Sequence, residues 1–390
     1  MRIVECRVRN WRIQAGFYIV FFLCTAVGYL WPDKADAIPY FSRKYNTPCA
    51  MCHVQFPRLN PTGMTFKQNG YRLKGEEGDY VWQDKLFPVS GMATFNYKIL
   101  HRKGAGWSGE EGSQSLFLLD EMEFFSAGAL APRISYYLSF GSGEEMDFAP
   151  GVAFVIFNDL VPESRANIRV GKFYNEFFYL ADKRRFSIEP YTAPVTRTQY
   201  GLELNGEYSS TGIRYAFGVA NDEMTEDKPG ETATKSFKDV SNDVSAYYGW
   251  SAYSIAGQTI GIRGYTSKAG AGFGVKENHT QFDTNLSLQF DPVTLTLAYY
   301  TQSNVDGVKG LNQVNLLTEL TIAAGPQLIC NLRHELQDKD TFARKDNKYI
   351  FNTNYYIAPN IGLIGEYVKQ DGKGSQKDED KLQLGIQLVF

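Results

Sequence analysis

Leu382-Gln383-Leu384-Gly385-Ile386-Gln387-Leu388-Val389-Phe390 closes the sequence on an alternation of apolar and polar residues. Successive side chains of an extended strand point to opposite faces. Leu382, Leu384, Ile386, Leu388 and Phe390 therefore share one face, and Gln383, Gly385 and Gln387 the other. The same period recurs upstream. Phe282, Thr284, Leu286, Leu288 and Phe290 alternate with Asp283, Asn285, Ser287 and Gln289. Val293, Leu295, Leu297 and Tyr299 alternate with Thr294, Thr296 and Ala298, and Ile213, Tyr215, Phe217 and Val219 with Arg214, Ala216 and Gly218.

Sixteen such segments are expected, near 90–100, 115–126, 133–140, 151–159, 166–173, 197–208, 212–220, 243–255, 258–266, 280–290, 292–302, 312–324, 326–335, 347–358, 360–369 and 380–390. Ala256-Gly257, Asp291-Pro292, Gly325-Pro326 and Ala358-Pro359 make short connections. Long polar ones fall at 101–114, 174–196, 221–242, 267–279, 303–311, 336–346 and 370–379. A soluble sandwich or propeller shares the alternation. Short turns on one rim and long loops on the other, with an even strand count, instead predict an all-β, 16-stranded antiparallel outer-membrane β-barrel of porin type. The final Phe390 fits the signal that barrel-assembly machinery reads. Sixteen strands enclose an aqueous lumen. The loop running from Gly171-Lys172-Phe173 to Arg197 carries Lys183-Arg184-Arg185. Folded inward, it narrows the pore and favours anions; the alternative is a solvated outer loop.

Composition agrees. The chain has 390 residues, 15% of them aromatic, with 36 glycines and a formal net charge of -3. A mean hydropathy of -0.32 excludes a bundle of membrane helices. The balanced charge gives no reason for a nucleic-acid partner.

Arg2, Arg7, Arg9 and Arg12 precede an apolar run from Phe17 to Trp31 and then Ala35-Asp36-Ala37. A basic start, a short apolar middle and small residues at the cut predict a signal peptide over 1–37. An uncleaved anchor helix is the alternative, and the run is short for one. The mature chain then divides into a haem-binding segment at 38–89 and the barrel at 90–390.

Within 38–89, Cys49-Ala50-Met51-Cys52-His53 is a C-x-x-C-H, the attachment pattern of a c-type haem. Two thiols bond the porphyrin and the adjacent histidine ligates its iron. With 5 Cys and 4 His in the whole chain, chance gives the pattern about once in a thousand such chains. A disulfide or a thioredoxin-type pair needs no histidine and suits a βαβ setting better. Cys49, Cys52 and the proximal ligand His53 are thus the expected haem residues. About 50 residues cannot enclose a haem alone, so the segment must take shelter from the barrel that comes after it in the chain. Cys330, between Leu328 and Leu332 on one strand face, reads as a small buried hydrophobe.

Ile38-Pro39-Tyr40-Phe41, the C-x-x-C-H, Phe56-Pro57-Arg58-Leu59-Asn60-Pro61-Thr62-Gly63 and Phe66-Lys67-Gln68-Asn69-Gly70-Tyr71 together resemble the fused monohaem cytochrome–porins of bacterial outer membranes, known chiefly as iron oxidases. Residues 38–75 carry the resemblance; the remainder agrees in architecture, and Gly171-Lys172-Phe173 also resembles phosphate-selective porins. The family implies one covalent haem c plugging the periplasmic end of the barrel. Electrons would pass from extracellular Fe(II) to a periplasmic c-type cytochrome, an Fe(II):cytochrome c oxidoreductase activity in an outer membrane lipid setting. For the distal ligand, Met64 is the first candidate and His101 the second; Met51, inside the attachment loop, is expected to point away. An open or water-ligated position is the alternative. Glu121 and Glu123 share a strand face and line either the lumen or an ordinary polar wall, and the loop acids Glu144, Glu145, Asp147, Asp222, Glu223, Glu226 and Asp227 are read as solvated loop tips rather than as an attractor of Fe(II). Two other readings stay open. One is an anion or solute porin with a structural or sensing haem, and the other a conduit running outward.

Overall fold

The computed structural model describes residues 39–73, 75, 78, 80–84, 87–103, 112–142, 148–176, 180–181, 184–193, 196–221, 244–268, 278–305, 309–339, 344–358, 360–373 and 378–390. The expected signal peptide, Lys183 and the loop acids Glu144, Glu145, Asp147, Asp222, Glu223, Glu226 and Asp227 lie outside these residues.

The N-terminal segment is short and irregular. Helix α1 (Tyr40–Tyr45), a 3-10 turn (Cys49–Met51), a small hairpin of β1 (His53–Gln55) and β2 (Arg58–Leu59), and helix α2 (Pro61–Gln68) succeed one another. All sixteen expected strands then form, from β3 (Ser90–Lys103) and β4 (Gly112–Ala131) to β18 (Asp378–Val389). Each pairs antiparallel with its sequence neighbours, and β18 pairs with β3 to close the barrel. At this seam the Gly91 amide donates to the Phe390 carbonyl (2.6 Å) and the Phe390 amide to the Gly91 carbonyl (2.8 Å). A Cβ on Gly91 would lie 2.4 Å from the Phe390 ring, so a larger residue there would have to displace that ring.

The period of two decides which side faces what. Leu384, Ile386, Phe282, Phe217 and Leu297 are exposed on the outer wall, while Gln383, Asp283, Asn285, Arg214 and Thr296 are buried. Apolar outside and polar inside is the arrangement of a barrel whose outer solvent is hydrocarbon. Cys330 falls between Leu328 and Leu332 as expected, but Ile329 and Asn331 on either side of it are the buried pair. Its face is therefore the lipid wall, not a protein core. Several strands outrun their period-two windows; β4, expected over 115–126, spans Gly112–Ala131. The backbone ladder needs no apolar residue and continues past the membrane band.

Short turns gather on one rim. Ala256-Gly257 takes φ of 48° and 81°, the paired positive values of a two-residue hairpin turn matched to strand twist. The N-terminal segment sits inside the lumen. It is tied to β6 (Ala149–Val161) through Arg72 and Asp159 (2.8 Å), and to β8 (Thr196–Tyr208) through Thr65 and Glu207 (3.2 Å). Arg58 reaches Thr321 of β14 (Gln313–Ala323) at 3.2 Å and ion-pairs with Glu319, and the Tyr356 hydroxyl of β16 (Arg344–Ala358) donates to the Phe56 carbonyl. Only a segment within the barrel can touch inward residues of strands so far apart around it.

Candidate functional site

The attachment motif is held by its neighbours in sequence. The Met51 amide donates to Pro48 (3.0 Å) and the Cys52 amide to Cys49 (3.1 Å), which winds Cys49–Met51 into a single tight turn. Asn60 ties that turn down. Its Nδ2 donates to the Ala50 and Met51 carbonyls, both at 3.1 Å, while its Oδ1 accepts from the Gly63 amide at 2.9 Å. Asn60 is thus the N-cap of α2, with Pro61 at the first helical position. Gly63 rests on the motif itself: a Cβ there would lie 2.1 Å from the Cys52 carbonyl oxygen. The Asn-Pro pair is a helix-start signal readable in the sequence; the close approach at Gly63 is not.

Cys49, Cys52 and His53 border one cavity of about 300 Å³, walled by Phe41, Phe66 and Phe154 among others. Both thiols are held above their ordinary range by burial. His53 is half-buried, with Nδ1 enclosed and without a hydrogen-bond partner among the described residues. Burial pushes the imidazole down to about 4, against backbone groups of Pro57 and Arg58 that raise it. The ring is therefore neutral at pH 7, the form that ligates a metal. Two thiols and a neutral imidazole bordering one aromatic-walled cavity are the donor set that a c-type haem would use.

The remaining candidates scatter. Met64 is buried beside Leu59, Trp250 and Ala252, with its sulfur 3.6 Å from Arg184 Nη1. It borders a second cavity of about 60 Å³ together with Trp250 and is absent from the lining of the first. His101 donates to or accepts from Ser113 at 2.8 Å near the long-connection rim. It stands nine residues past Met92 on the same strand, about 30 Å away at 3.3 Å per residue. Among the described residues, the thioethers that border the cavity are Met51, expected to point away, and Met92, which sequence reasoning passed over because nothing in β3 sets it apart.

The described part of the loop after β7 (Ala166–Glu176), residues 180–181 and 184–193, folds inward, the first of its two expected courses. Glu366 accepts the Ile188 and Glu189 amides at 2.8 Å each, and Arg333 donates to Ser187 Oγ (2.7 Å) and the Glu189 carbonyl (2.8 Å). Glu189 in turn holds Lys348 (2.9 Å) and Lys381 (3.1 Å). Burial raises its carboxyl, but the two ammonium groups outweigh that and draw it down to about 2. Arg184, Arg185 and Phe186 border the cavity of the cysteines, so the loop forms one of its walls. The loop is not simply basic, as Lys183-Arg184-Arg185 suggests; Glu189 brings its own charge into the lumen.

Beyond this wall lies a wetter space of about 670 Å³, bordered by Lys98, Asp120, Glu121, Glu123, Glu189 and Lys381. Glu121 and Glu123 border it and the first cavity alike, the lumen-facing course of the two open to them.

No protein-family model and no curated protein matches the sequence. Solved structures do match in fold. The anion-selective porin from Comamonas acidovorans superposes with a TM-score of 0.58 at 12% identity, over 77% of this chain and 98% of that one. The outer membrane channel DcaP of Acinetobacter baumannii gives 0.57 at 11%, over 77% and 96%. OmpF of Salmonella typhi gives 0.55 at 12%, over 77% and 97%. What this chain shares with these proteins is the barrel: it is a closed, sixteen-stranded, porin-like β-barrel of the outer membrane.

Proposed function

We propose that the barrel carries single electrons across the outer membrane, from an extracellular donor, Fe(II) before others, to a periplasmic c-type cytochrome, by way of a haem c held at Cys49, Cys52 and His53. The observation that carries this reading is the convergence of both thiols and a neutral, part-enclosed imidazole on one aromatic-walled cavity inside the lumen. A haem c bound there supplies a one-electron centre whose potential depends on its axial ligands and burial. The chain's own part is to place it. Cys49 and Cys52 anchor the group, His53 offers a lone pair, and Asn60 fixes the turn that carries all three. The aromatic wall and the inward loop line the cavity in which the group would sit. Each Fe(II) gives up one electron and stays outside as Fe(III), and the electron leaves to a one-electron carrier in the periplasm. The metal need not cross.

A second reading keeps the barrel as an anion or solute porin in which the haem is structural. The 670 Å³ space beside the inward loop favours it, as does the likeness to a porin described as anion-selective. Outward electron flow is a variant of the first reading. One experiment separates them. The purified, oxidised protein is mixed anaerobically with Fe(II) while the haem absorption bands are monitored. Rapid reduction supports the inward conduit. A haem that forms but ignores Fe(II) turns the case to another donor, outward flow or the porin. Absence of haem sinks both haem-based readings.

A further inference from the structure

Resting on the reading of Cys49, Cys52 and His53 as a haem site, we infer that Arg58 is the positioning residue for His53. Anchored to the barrel wall and to the inward loop, it fixes the hairpin that carries the imidazole, and with it the direction from which the imidazole would meet the haem iron.

His53 begins β1, and its place is set by the hairpin that β1 makes with β2. His53 pairs with Leu59, and Gln55 with Arg58. One end of the hairpin is tied to the attachment turn, where the Asn60 amide donates to the Cys52 carbonyl at 2.9 Å. A hairpin this short is marginal in isolation, so what it rests on decides where His53 points. At the other end the Phe56 ring stands against that of His53, with centres 5.4 Å apart. A shift at the tip is therefore passed directly to the imidazole.

Three elements hold that tip. On β14, Thr321 Oγ1 accepts from Arg58 Nη1 at 3.2 Å, and the buried Glu319 ion-pairs with Nη2. In the inward loop, Phe186 lies under the guanidinium with its ring centre 4.6 Å away, and the Tyr191 hydroxyl donates to the other oxygen of Glu319 at 3.2 Å. On β16, the Tyr356 hydroxyl donates to the Phe56 carbonyl, and Asn354 Nδ2 donates to the Phe186 carbonyl at 3.2 Å. Phe186 and Tyr356 pack in one buried cluster. Arg58 thus joins the wall and the inward loop to the strand of His53.

The junction suits an arginine. Its planar fork meets an acid and a hydroxyl two residues apart on one strand while its face rests on a ring; a lysine offers a single point charge. The contacts of Arg72 with Asp159 and of Thr65 with Glu207 engage α2 and the residues after it, not the hairpin. Outer groups that orient a ligating histidine tune the metal it binds.

The test uses the full chain, expressed with c-type haem maturation and purified in detergent. Arg58→Met, Glu319→Gln and Tyr356→Phe are compared with the unaltered protein and with Arg72→Met, which loosens the segment away from the hairpin. Haem content, midpoint potential and the ferric electron paramagnetic resonance lines are read. The expected result is attached haem throughout, with broadened and shifted lines in the three junction variants and unaltered lines in Arg72→Met. A pure charge effect has another signature: the potential falls in Arg58→Met, rises in Glu319→Gln, and the lines stay sharp. That outcome overturns the inference, and so do equal changes in Arg72→Met, which would make Arg58 a plain tether. Unchanged lines and potential in junction variants that keep their haem overturn it too, and leave the haem site standing. Lack of haem in the unaltered protein overturns the haem reading and this inference with it. If Arg58→Met or Glu319→Gln fails to fold, Tyr356→Phe, which removes a single hydroxyl, decides the matter.

Discussion

Arg72 and Asp159 stand 87 residues apart in the chain and 2.8 Å apart in space, with the Arg72 side chain only 2% exposed. Its Nε also donates to the Asn69 carbonyl at 2.9 Å, so one guanidinium fastens the end of α2 to the wall. Arg72→Met leaves Asp159 without its cation. Removing one partner of a buried pair costs about 3–5 kcal/mol, and the lower figure suits a carboxylate that keeps some solvent contact. The expected outcome is a lumen segment that protease cleaves readily while the barrel keeps its β-sheet circular dichroism.

Glu189 sets a pH limit on the inward loop. Its carboxyl titrates at about 2, against an ordinary 4.5, because Lys348 and Lys381 hold the charged form. A depressed acid contributes its full stability above its unfolded value and loses it as pH falls through the folded one. The loop should therefore stay clamped at pH 7 and loosen progressively from about 4.5 toward 2. Single-channel conductance in planar bilayers should rise over that window. Glu189→Gln should show the raised conductance already at neutral pH, and a flat profile in both proteins would remove Glu189 from this role.

Gly63→Ala sets a methyl group where the Cys52 carbonyl already lies, 2.1 Å from the built Cβ. That carbonyl is backbone and cannot swing aside. Haem attachment, read by in-gel peroxidase stain, should fall several-fold, whereas the heat-modifiable migration of the folded barrel should not change.

Met64 and Met92 offer a contrast. Met92 borders the cavity of His53 and receives a 3.6 Å contact from Gln387 Nε2, while Met64 lies on the far side of α2 against Arg184. Met92→Leu should shift the haem absorption bands. Met64→Leu should leave them in place, and a spectrum that changes only in the Met64 variant would reverse this placement.

The barrel was legible because its rule is local. Each strand needs only a period of two and a turn, and the segment from Phe282 to Phe290 carries both without reference to any other. The C-x-x-C-H on which the proposed haem rests could be read for the same reason, since Cys49, Cys52 and His53 lie within five residues. The fate of the loop after β7 was not. Its inward course depends on Glu366 and Arg333, more than 140 residues downstream, receiving the backbone of Ile188 and Glu189. Met92 escaped notice likewise, because which face of β3 meets the cavity depends on how the N-terminal segment lies in the lumen. Asn60 stood in between: Asn-Pro announced a helix start, but its grip on Ala50 and Met51 emerges only in the fold.

The seam between β18 and β3 joins residues as distant as Met92 and Gln387, 295 positions apart. Contacts of such long range form late, since their loop-closure entropy must be met first. The lumen segment runs straight into β3 at this seam, with the Tyr40 amide bound to Ser90 Oγ at 2.8 Å. A ring that closes late leaves its lumen open to the segment while strands are still being added, and a group bonded to Cys49 and Cys52 by then would travel in with it.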